Sequence, residues 1–375
     1  MSQPKQSEIG NVPRKSASVI ITRKVSDPEN NSFFDYKILF LRRGGNLTFG
    51  GNYAFPGGVT DPSDYTDADL LVKEKFKTPE ERQAAALRVT AVRECLEETG
   101  IYFSKNGVED PTTKAKFTEL LSKHGKARDI PFSELIMIAE PDLQNLTEFT
   151  RFITMQFLKK RYDTQFFFTQ IAPNKTLNIH AARENPDALN DFDKLVINDE
   201  SSEFRWLSPA EGLNLFLDKK IELVAPQFMI LNILMNFKEA AAIEAFLKKI
   251  QPTKHSILNW SPLTFPTMLC LMKNNDESPS RSRYKFIGLF PEDPDYPVEK
   301  VLEVEKCEKL KAELKEKYAN RKLDPLVRSR FYFTSINPAS FFTDYDTEMN
   351  AKDPSPIRLL KGIDGLKSLL NRPSL

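Results

Sequence analysis

The sequence predicts an α/β protein in which short strands alternate with helices, and two observations support this prediction. Segments 16–23, 36–42 and 166–171 are rich in β-branched or aromatic residues and have the length of strands. Between them lie segments with apolar residues at helical spacing, the clearest over 83–99. Hydrophobic residues make up 40% of the 375 residues, which is enough to build a core.

The charge balance and the cysteine content exclude several classes of protein. The net charge is +1, from 53 basic and 52 acidic residues, so no whole-molecule field attracts DNA or a membrane. We therefore expect neither as a partner, and local groups must hold any anionic substrate. Cys95, Cys270 and Cys307 are widely spaced and only three histidines are present. We expect no disulfide framework and no zinc site, as in a reducing compartment.

The first part of the chain predicts a hairpin, a glycine-ended strand and a long helix. Residues 1–15 are predicted to be a disordered lead. Strands are predicted over 16–23 and 36–42, paired as a hairpin, and over 53–59, ending in a glycine pair. Thr78 and Pro79 predict a helix start, and Gly100 predicts its end.

The rest of the chain predicts a mixture of helices and strands, with a soft domain boundary near residue 252. Ser208, Pro209 and Glu211 predict a capped helix start. Helices are predicted over 112–124, 131–138, 226–238, a further segment ending at 250, and 299–321. Strands are predicted over 152–158, 166–171, 203–207, 256–260, 267–272, 284–289 and 330–336. Residues 16–252 are assigned to one domain, and 253–375 to a C-terminal extension or small subdomain.

Three glutamates in the 83–99 helix point to metal chemistry. Glu94, Glu97 and Glu98 are three and four residues apart, so they lie on one side of the helix. Carboxylates so close repel each other, and a divalent cation removes that cost. Oxygen ligands suit Mg²⁺, with Mn²⁺ as the alternative. The alternative interpretation is a solvated charged helix face beside Arg93.

The motif around these glutamates resembles a known family. Residues 93–101, Arg-Glu-Cys-Leu-Glu-Glu-Thr-Gly-Ile, match the second half of the Nudix box at every fixed position, and Phe-Pro-Gly-Gly-Val at 55–59 precedes them. The chain is therefore similar to the Nudix hydrolase superfamily. The resemblance implies an α/β/α sandwich with a mixed sheet, long insertions and a C-terminal α+β extension.

The resemblance also implies roles for the residues of the motif. Glu94, Glu97 and Glu98 would bind Mg²⁺, with Glu97 or Glu98 as the catalytic base. Arg93 would hold the loop and the helix together by an internal ion pair, and Gly100 would complete the motif.

The first half of the box departs from the family pattern. Five residues after Gly58 stands Asp64, a shorter acid where the family has glutamate. Arg93 follows Asp64 by 29 residues rather than eight, so about residues 65–84 are predicted to be an insertion. A second insertion is predicted over 104–148.

A similar insertion at this place is found in the peroxisomal coenzyme A diphosphatase branch of the family. Segments 160–168 and 225–228 are also similar to that branch, whereas 148–154 lacks its tryptophan-rich sequence. The resemblance implies Mg²⁺-dependent hydrolysis of coenzyme A and acyl-coenzyme A to adenosine 3′,5′-bisphosphate and (acyl-)4′-phosphopantetheine. The alternatives are hydrolysis of ADP-ribose, dinucleotides or capped RNA, and a non-catalytic nucleotide-binding Nudix module.

The resemblance further implies a peroxisomal location. The final Pro373-Ser374-Leu375 departs from the usual Ser-Lys-Leu signal. A cytoplasmic or mitochondrial location is therefore the alternative.

Several residues outside the glutamates are candidates for substrate binding or core packing. Arg42 and Arg43 end a strand and Arg161 begins one, so they are either phosphate contacts or surface charges. The candidate substrate-binding residues are Arg42, Arg43, Gly57, Gly58 and Arg161. Candidates for a general base outside the glutamate motif are Asp199, Glu200 and Glu203. The aromatic residues at 166–168, Tyr102 and Trp206 are predicted to belong to the core.

Overall fold

The structure is a computed structural model that describes most of the chain up to residue 250. The described residues are 12–25, 33–44, 50–72, 76–107, 111–124, 129–154, 160–172, 175–179, 181, 191–193, 195 and 201–250, with four strands at 264–266, 268–271, 286–289 and 330–333. The predictions for residues 1–11, the strand over 256–260 and the helix over 299–321 lie outside them.

Helices and strands alternate along the described chain, as the sequence predicts. The strands are β1 Arg14–Lys24, β2 Tyr36–Arg43, β3 Tyr53–Ala54, β4 Gly57–Val59, β5 Ile101–Phe103, β6 Thr147–Ile153, β7 Tyr162–Gln170, β8 Thr176–Asn178, β9 Ser201–Leu207, β10 Thr264–Pro266, β11 Met268–Leu271, β12 Phe286–Leu289 and β13 Arg330–Phe333. The helices are α1 Pro62–Leu71, α2 Pro79–Thr99, α3 Pro111–Lys123, α4 Phe132–Ile138, α5 Pro209–Leu217, α6 Ala225–Leu234 and α7 Ala240–Ile250.

The main sheet is mixed and has eight strands. Its path runs β10-β6-β7-β1-β2-β3, with β4 paired to β1 and β9 paired to β2. The predicted hairpin is confirmed, because β1 and β2 pair antiparallel with Thr22 opposite Ile38. β7 is the buried central strand that its aromatic composition predicts, and it pairs parallel with β1.

Helices cover both faces of this sheet. Along β1, Ile20 packs in one core with Ile230 of α6 and Ile243 of α7. Its neighbour Val19 points the other way and packs with Val92 of α2, since successive side chains of a strand face opposite sides. The predicted α/β/α sandwich is therefore confirmed.

The boundaries of two strands differ from the sequence prediction because long-range pairing decides them. β1 begins at Arg14, inside the predicted disordered lead, because Arg14 and Lys15 pair with Tyr162 and Asp163 of β7. β6 runs from Thr147 to Ile153, so it starts earlier than the predicted 152. Residues 155–158 lie outside the described part of the chain.

The predicted strand over 53–59 is two strands. Tyr53 and Ala54 pair with β2, whereas Gly57 to Val59 pair with β1. The chain crosses between them at Pro56, which has no N–H to donate and whose carbonyl accepts from Val19 N at 2.8 Å. The crossing places the two glycines next to the start of β1.

The helix predicted over 226–238 ends at Leu234. Asn236 closes the turn, because both its backbone N and its side-chain Nδ2 donate to the carbonyl of Ile233. The predicted start of α5 is confirmed as a capping box, in which Ser208 Oγ accepts from Glu211 N and Glu211 Oε2 accepts from Ser208 N.

The C-terminal strands fall into two sheets. β10 extends the main sheet by pairing parallel with β6. β11, β12 and β13 form a separate antiparallel sheet. They correspond to the strands predicted over 267–272, 284–289 and 330–336. The boundary near residue 252 stays a prediction. No helix of the described residues is long and apolar enough to cross a membrane.

Candidate functional site

The candidate site lies where the second half of α2 meets the glycine turn of β4. Gly57 N donates to Glu98 Oε2 at 2.9 Å. A Cβ atom on Gly58 would lie 2.3 Å from the Glu94 carboxyl carbon. Both glutamates therefore sit directly against the turn, and only glycine leaves room for Glu94.

An ion pair joins the two halves of the interrupted box. Arg93 Nε donates to Asp64 Oδ1 at 2.7 Å and Arg93 Nη2 donates to Asp64 Oδ2 at 3.0 Å, a bidentate geometry. The Asp64 side chain is fully buried and that of Arg93 is 12% exposed. Arg93 Nη2 also donates to the Val59 carbonyl at 3.2 Å. The internal ion pair that the resemblance implies is thus present, and Asp64 occupies the position of the family glutamate.

The insertion is itself ordered around this ion pair. Asp64 lies in the first turn of α1, whose capping box it completes by accepting from Asp61 N. α2 then starts at Pro79 with Thr78 as its N-cap, at the predicted position. Within the predicted insertion, the described residues therefore form most of α1 and the first turn of α2.

Thr90 supports the same ion pair and was not singled out from the sequence. Its Oγ1 donates to Asp64 Oδ2 at 2.7 Å and lies 3.2 Å from Thr60 Oγ1. Thr90 precedes Arg93 by three residues, so helical periodicity places both on one side of α2. That spacing could have identified Thr90, but its partner lies in another helix.

The remaining hydrogen bonds of Arg93 go to two of the three glutamates. Its Nη1 donates to Glu94 Oε1 at 3.0 Å and to both carboxylate oxygens of Glu97 at 3.2 Å. The Glu97 side chain is 33% exposed, against 14% for Glu94. Glu97 is therefore the glutamate of this pair that solvent reaches more easily.

The site carries more negative than positive charge. Arg93 contacts three carboxylates, those of Asp64, Glu94 and Glu97, and a fourth, that of Glu98, lies against the glycine turn. Burial raises the pKa of Glu94 to about 7, although the neighbouring Arg93 opposes the rise. Burial lowers the pKa of Arg93, but its hydrogen bonds to Asp64 and the nearby carboxylates outweigh this effect and hold that pKa above its ordinary value.

The donor set fits a hard divalent cation in its chemistry. The described residues contain no group of three His, Cys, Asp or Glu side chains already converged as metal ligands. Arg93 Nη1 lies between Glu94 and Glu97, and Glu98 is turned toward Gly57 N. The carboxylates are nevertheless all oxygen donors with excess negative charge, as Mg²⁺ requires. Glu94, Glu97 and Glu98 are the residues that could hold it.

Arg42 lies on the other side of the sheet from α2. Phe40 packs in the core with α6 and α7, and Arg42, two residues further along β2, faces the same way. Arg42 is exposed, and it pairs across the sheet with Glu203 of β9. The structure therefore does not bring Arg42 onto the face of the glutamates, and phosphate binding by Arg42 and Arg43 stays a prediction.

Glu203, a candidate general base outside the glutamate motif, accepts hydrogen bonds from two side chains. Its carboxylate accepts from Tyr53 Oη at 2.7 Å and from Arg205 Nε at 2.5 Å. Burial raises the pKa of Glu203, but these hydrogen bonds outweigh it and hold the pKa below its ordinary value. A carboxylate with a lowered pKa is a poor general base. Asp199 and Glu200 lie outside the described residues.

Arg161 and the predicted core aromatics are buried. Arg161 is 7% exposed, and its Nε donates to the Thr154 carbonyl at 3.0 Å. This contact anchors the turn before β7, and a substrate contact for Arg161 stays a prediction. The prediction that the aromatic residues belong to the core is confirmed for 166–168, Tyr102 and Trp206.

Comparison with solved structures gives distant likenesses. No family model matches the chain. The chain is similar to the NUDIX hydrolase from Alicyclobacillus acidocaldarius, at 24% identity over 62% of this chain and 95% of that one, with a TM-score of 0.42. It is also similar to a C. elegans Ap4A hydrolase binary complex, at 12% identity over 61% and 98%, with a TM-score of 0.25.

A third likeness is to the NUDIX domain of Shewanella oneidensis NrtR complexed with ADP ribose. Identity is 10% over 61% of this chain and 89% of that one, with a TM-score of 0.29. All three TM-scores are low, so these likenesses do not support a functional assignment. The evidence for function comes from the residues of the site.

Proposed function

We propose that this chain is a Mg²⁺-dependent, Nudix-type hydrolase that cleaves the diphosphate of a nucleoside diphosphate-linked substrate. The supporting observation is the bidentate ion pair between Asp64 and Arg93. It joins the two halves of a box that an insertion separates in the sequence, and the same helix places Glu94 and Glu98 against the glycine turn and Glu97 beside Arg93.

Glu94, Glu97 and Glu98 would hold the metal, Mg²⁺ with Mn²⁺ as the alternative. When bound, the ion neutralises charge on the phosphate oxygens and activates a water molecule for attack on phosphorus.

Neighbouring residues hold the carboxylates of the candidate metal ligands in position. Gly57 N fixes the carboxylate of Glu98 against the turn, and Arg93 fixes that of Glu94. Glu97 is the more accessible glutamate of the pair that Arg93 bridges, so it is the better placed to accept a proton from water. Glu98 is the second candidate for this role, and both are needed as carboxylates.

Coenzyme A and acyl-coenzyme A are the substrates within this proposal. The support is the interrupted box, which is similar to that of the coenzyme A diphosphatase branch, and the ordered helix that the insertion forms. Hydrolysis of the diphosphate would give adenosine 3′,5′-bisphosphate and (acyl-)4′-phosphopantetheine. A peroxisomal location belongs to the same proposal, and a fluorescent reporter fused to the C-terminal residues tests it.

A comparison of substrates tests the assignment. Purified protein with Mg²⁺ is assayed for hydrolysis of coenzyme A, ADP-ribose, a dinucleotide and capped RNA under identical conditions. We expect coenzyme A to be hydrolysed with the highest kcat/KM. A negligible rate with coenzyme A and a substantial rate with another of the four would replace the substrate but keep the hydrolase. No hydrolysis of any of them would favour a nucleotide-binding module.

A further inference from the structure

A group of basic side chains gathers at the N-terminal ends of β1 and β7. The segments 14–16 and 160–163, with residue 151 of the neighbouring β6, contain five basic residues and one acidic residue. The basic ones, here called the β1–β7 basic patch, are Arg14, Lys15, Arg151, Lys160 and Arg161. The acidic one is Asp163.

Asp163 organises the patch. Its carboxylate accepts from Lys15 Nζ at 2.6 Å, from Arg151 Nε at 2.5 Å and from Arg151 Nη2 at 2.6 Å. The Asp163 side chain is 7% exposed. Burial raises the pKa of Asp163, but these hydrogen bonds outweigh it and keep the pKa low, so the carboxylate stays ionised. The two cations are thus held at fixed positions by a buried anion.

Both cations keep donors that face solvent. The side chain of Lys15 is 35% exposed and that of Arg151 is 27% exposed. Lys15 uses one of its three protons on Asp163, and Arg151 engages Asp163 through one edge of its guanidinium. A ligand approaching from outside therefore meets two pre-positioned cationic donors.

The patch adjoins the glycine turn of the candidate active site. Thr60 N donates to the Lys15 carbonyl at 2.9 Å, and Ala17 pairs with Gly58. Lys15 and Ala17 are two residues apart on a strand, so their Cα atoms are about 7 Å apart and their side chains share a face. Ala17 packs in the core with α2, so Lys15 lies on the face that carries the glutamates.

The charge of the patch points to an anionic ligand. Two cations, Lys15 and Arg151, share the single carboxylate of Asp163, and three further basic residues lie in the same strand ends. Like charges at such spacing repel each other, and an added anion relieves that repulsion. Lysine and arginine together are typical ligands of a phosphate group.

We propose that the β1–β7 basic patch binds a phosphate monoester carried by the same substrate whose diphosphate lies at the glycine turn. In coenzyme A this group is the 3′-phosphate of the ribose, which the proposed reaction leaves on its bisphosphate product. The inference thus rests on the proposed function for its substrate, and it names Lys15 and Arg151 as residues that determine specificity.

A binding measurement without turnover tests this inference. Calorimetric titration of the full chain, free of divalent metal, compares adenosine 3′,5′-bisphosphate with AMP and with ADP. AMP lacks the 3′-phosphate, and ADP has the same number of phosphates, all at the 5′ position. We expect the 3′,5′-bisphosphate to bind about tenfold more tightly than either. Equal affinities for the bisphosphate and ADP would overturn the inference, and this comparison needs no variant.

Two matched variants locate the site. Lys15→Gln removes a charge but retains an N–H donor for Asp163, whereas Lys24→Gln removes an exposed charge from the opposite end of β1. We expect Lys15→Gln to weaken bisphosphate binding about five- to tenfold with AMP unaffected, and Lys24→Gln to change neither. Equal effects of the two variants would contradict the location. If the protein prefers the 3′,5′-bisphosphate but does not hydrolyse coenzyme A, the proposed hydrolysis is contradicted, whereas phosphate binding by the patch is supported.

Discussion

Adjacent glycines in the turn are required for different reasons. A Cβ atom on Gly58 would collide with the Glu94 carboxylate, which is the end of a flexible side chain. A Cβ atom on Gly57 would lie 2.3 Å from the Ala17 carbonyl oxygen, which is backbone, and Gly57 has φ 155°. Gly58 is therefore required for the position of Glu94, a metal-ligand candidate, and Gly57 is required for the pairing of β4 with β1.

Alanine substitutions separate these two constraints. We expect Gly58→Ala to lower kcat/KM at least tenfold with little change in stability, because Glu94 is displaced. We expect Gly57→Ala to lower the free energy of unfolding by about 2 kcal/mol or more, because strand pairing is disrupted. Urea unfolding and steady-state kinetics measure both effects. Gly51→Ala, a left-handed glycine with open space around its Cβ position, is the control for backbone strain alone. Equal stability losses at 57 and 58 would contradict this distinction.

The raised pKa of Glu94 makes the stability of the metal-free protein depend on pH. The unfolded chain releases this proton near the ordinary value of 4.5, whereas the folded protein retains it up to about 7. Between these values the folded state binds more protons, so stability decreases as pH rises through this window.

Glu94→Gln removes this dependence. We expect the variant to be more stable than the wild type above pH 7, by about 1 to 3 kcal/mol, and to lose the advantage near pH 4.5. Denaturant unfolding with a chelator present, from pH 4.5 to 8, measures the difference. Glu140→Gln, at an exposed ion pair, is the control. A difference that does not change with pH would contradict a Glu94 pKa raised by burial.

At the scale of elements, α1 and α2 are joined by two ion pairs of different burial. Asp64 and Arg93 are paired in the interior, and Asp69 and Arg82 are paired at the surface, where both side chains are more than 40% exposed. Removing a partner from the buried pair breaks a desolvated bidentate contact, whereas the exposed pair is already solvated by water. The interior pair therefore sets the position of α1 against α2.

Removing one carboxylate from each pair tests this difference. We expect Asp64→Asn to destabilise the protein by about 3 to 5 kcal/mol and to reduce turnover, because Arg93 loses its bidentate partner. Asp69→Asn should change the unfolding midpoint little, since exposed pairs contribute little. Thermal and urea unfolding of both variants provide the comparison. A small effect of Asp64→Asn would mean that the two halves of the box do not depend on each other.

Local patterns predicted most elements, and long-range contacts explain the differences. Helical spacing and capping residues located α2 and α5, because those signals lie within a few neighbouring residues. The start of β1 and the division of residues 53–59 depend on partners far along the chain, so no local pattern reveals them. The residues of the candidate site divide in the same way between local patterns and long-range contacts. The glutamates and Asp64 are readable from spacing, whereas Thr90, Lys15 and Asp163 gain their roles only from packing.

At the scale of the whole molecule, the sandwich separates two sets of charged groups. The four carboxylates of the box and Lys15 of the β1–β7 basic patch lie on the α2 face, beside opposite ends of the short strand β4. Arg42, Glu203 and Arg205 lie at the end of β2 on the other face. A chain of net charge +1 thus carries a strongly acidic site next to a strongly basic one. Such an arrangement suits a substrate that carries a metal-bound diphosphate and a further phosphate.

Identification of the reaction products tests the proposed function most directly. The wild type, Glu97→Gln and Glu98→Gln are incubated with coenzyme A and Mg²⁺, and the products are identified by mass spectrometry. We expect the wild type to release adenosine 3′,5′-bisphosphate and 4′-phosphopantetheine in equal amounts. Both variants should fold normally, as circular dichroism can verify, and release neither. Intact coenzyme A with the wild type, or unchanged product formation by the two variants, would contradict the account.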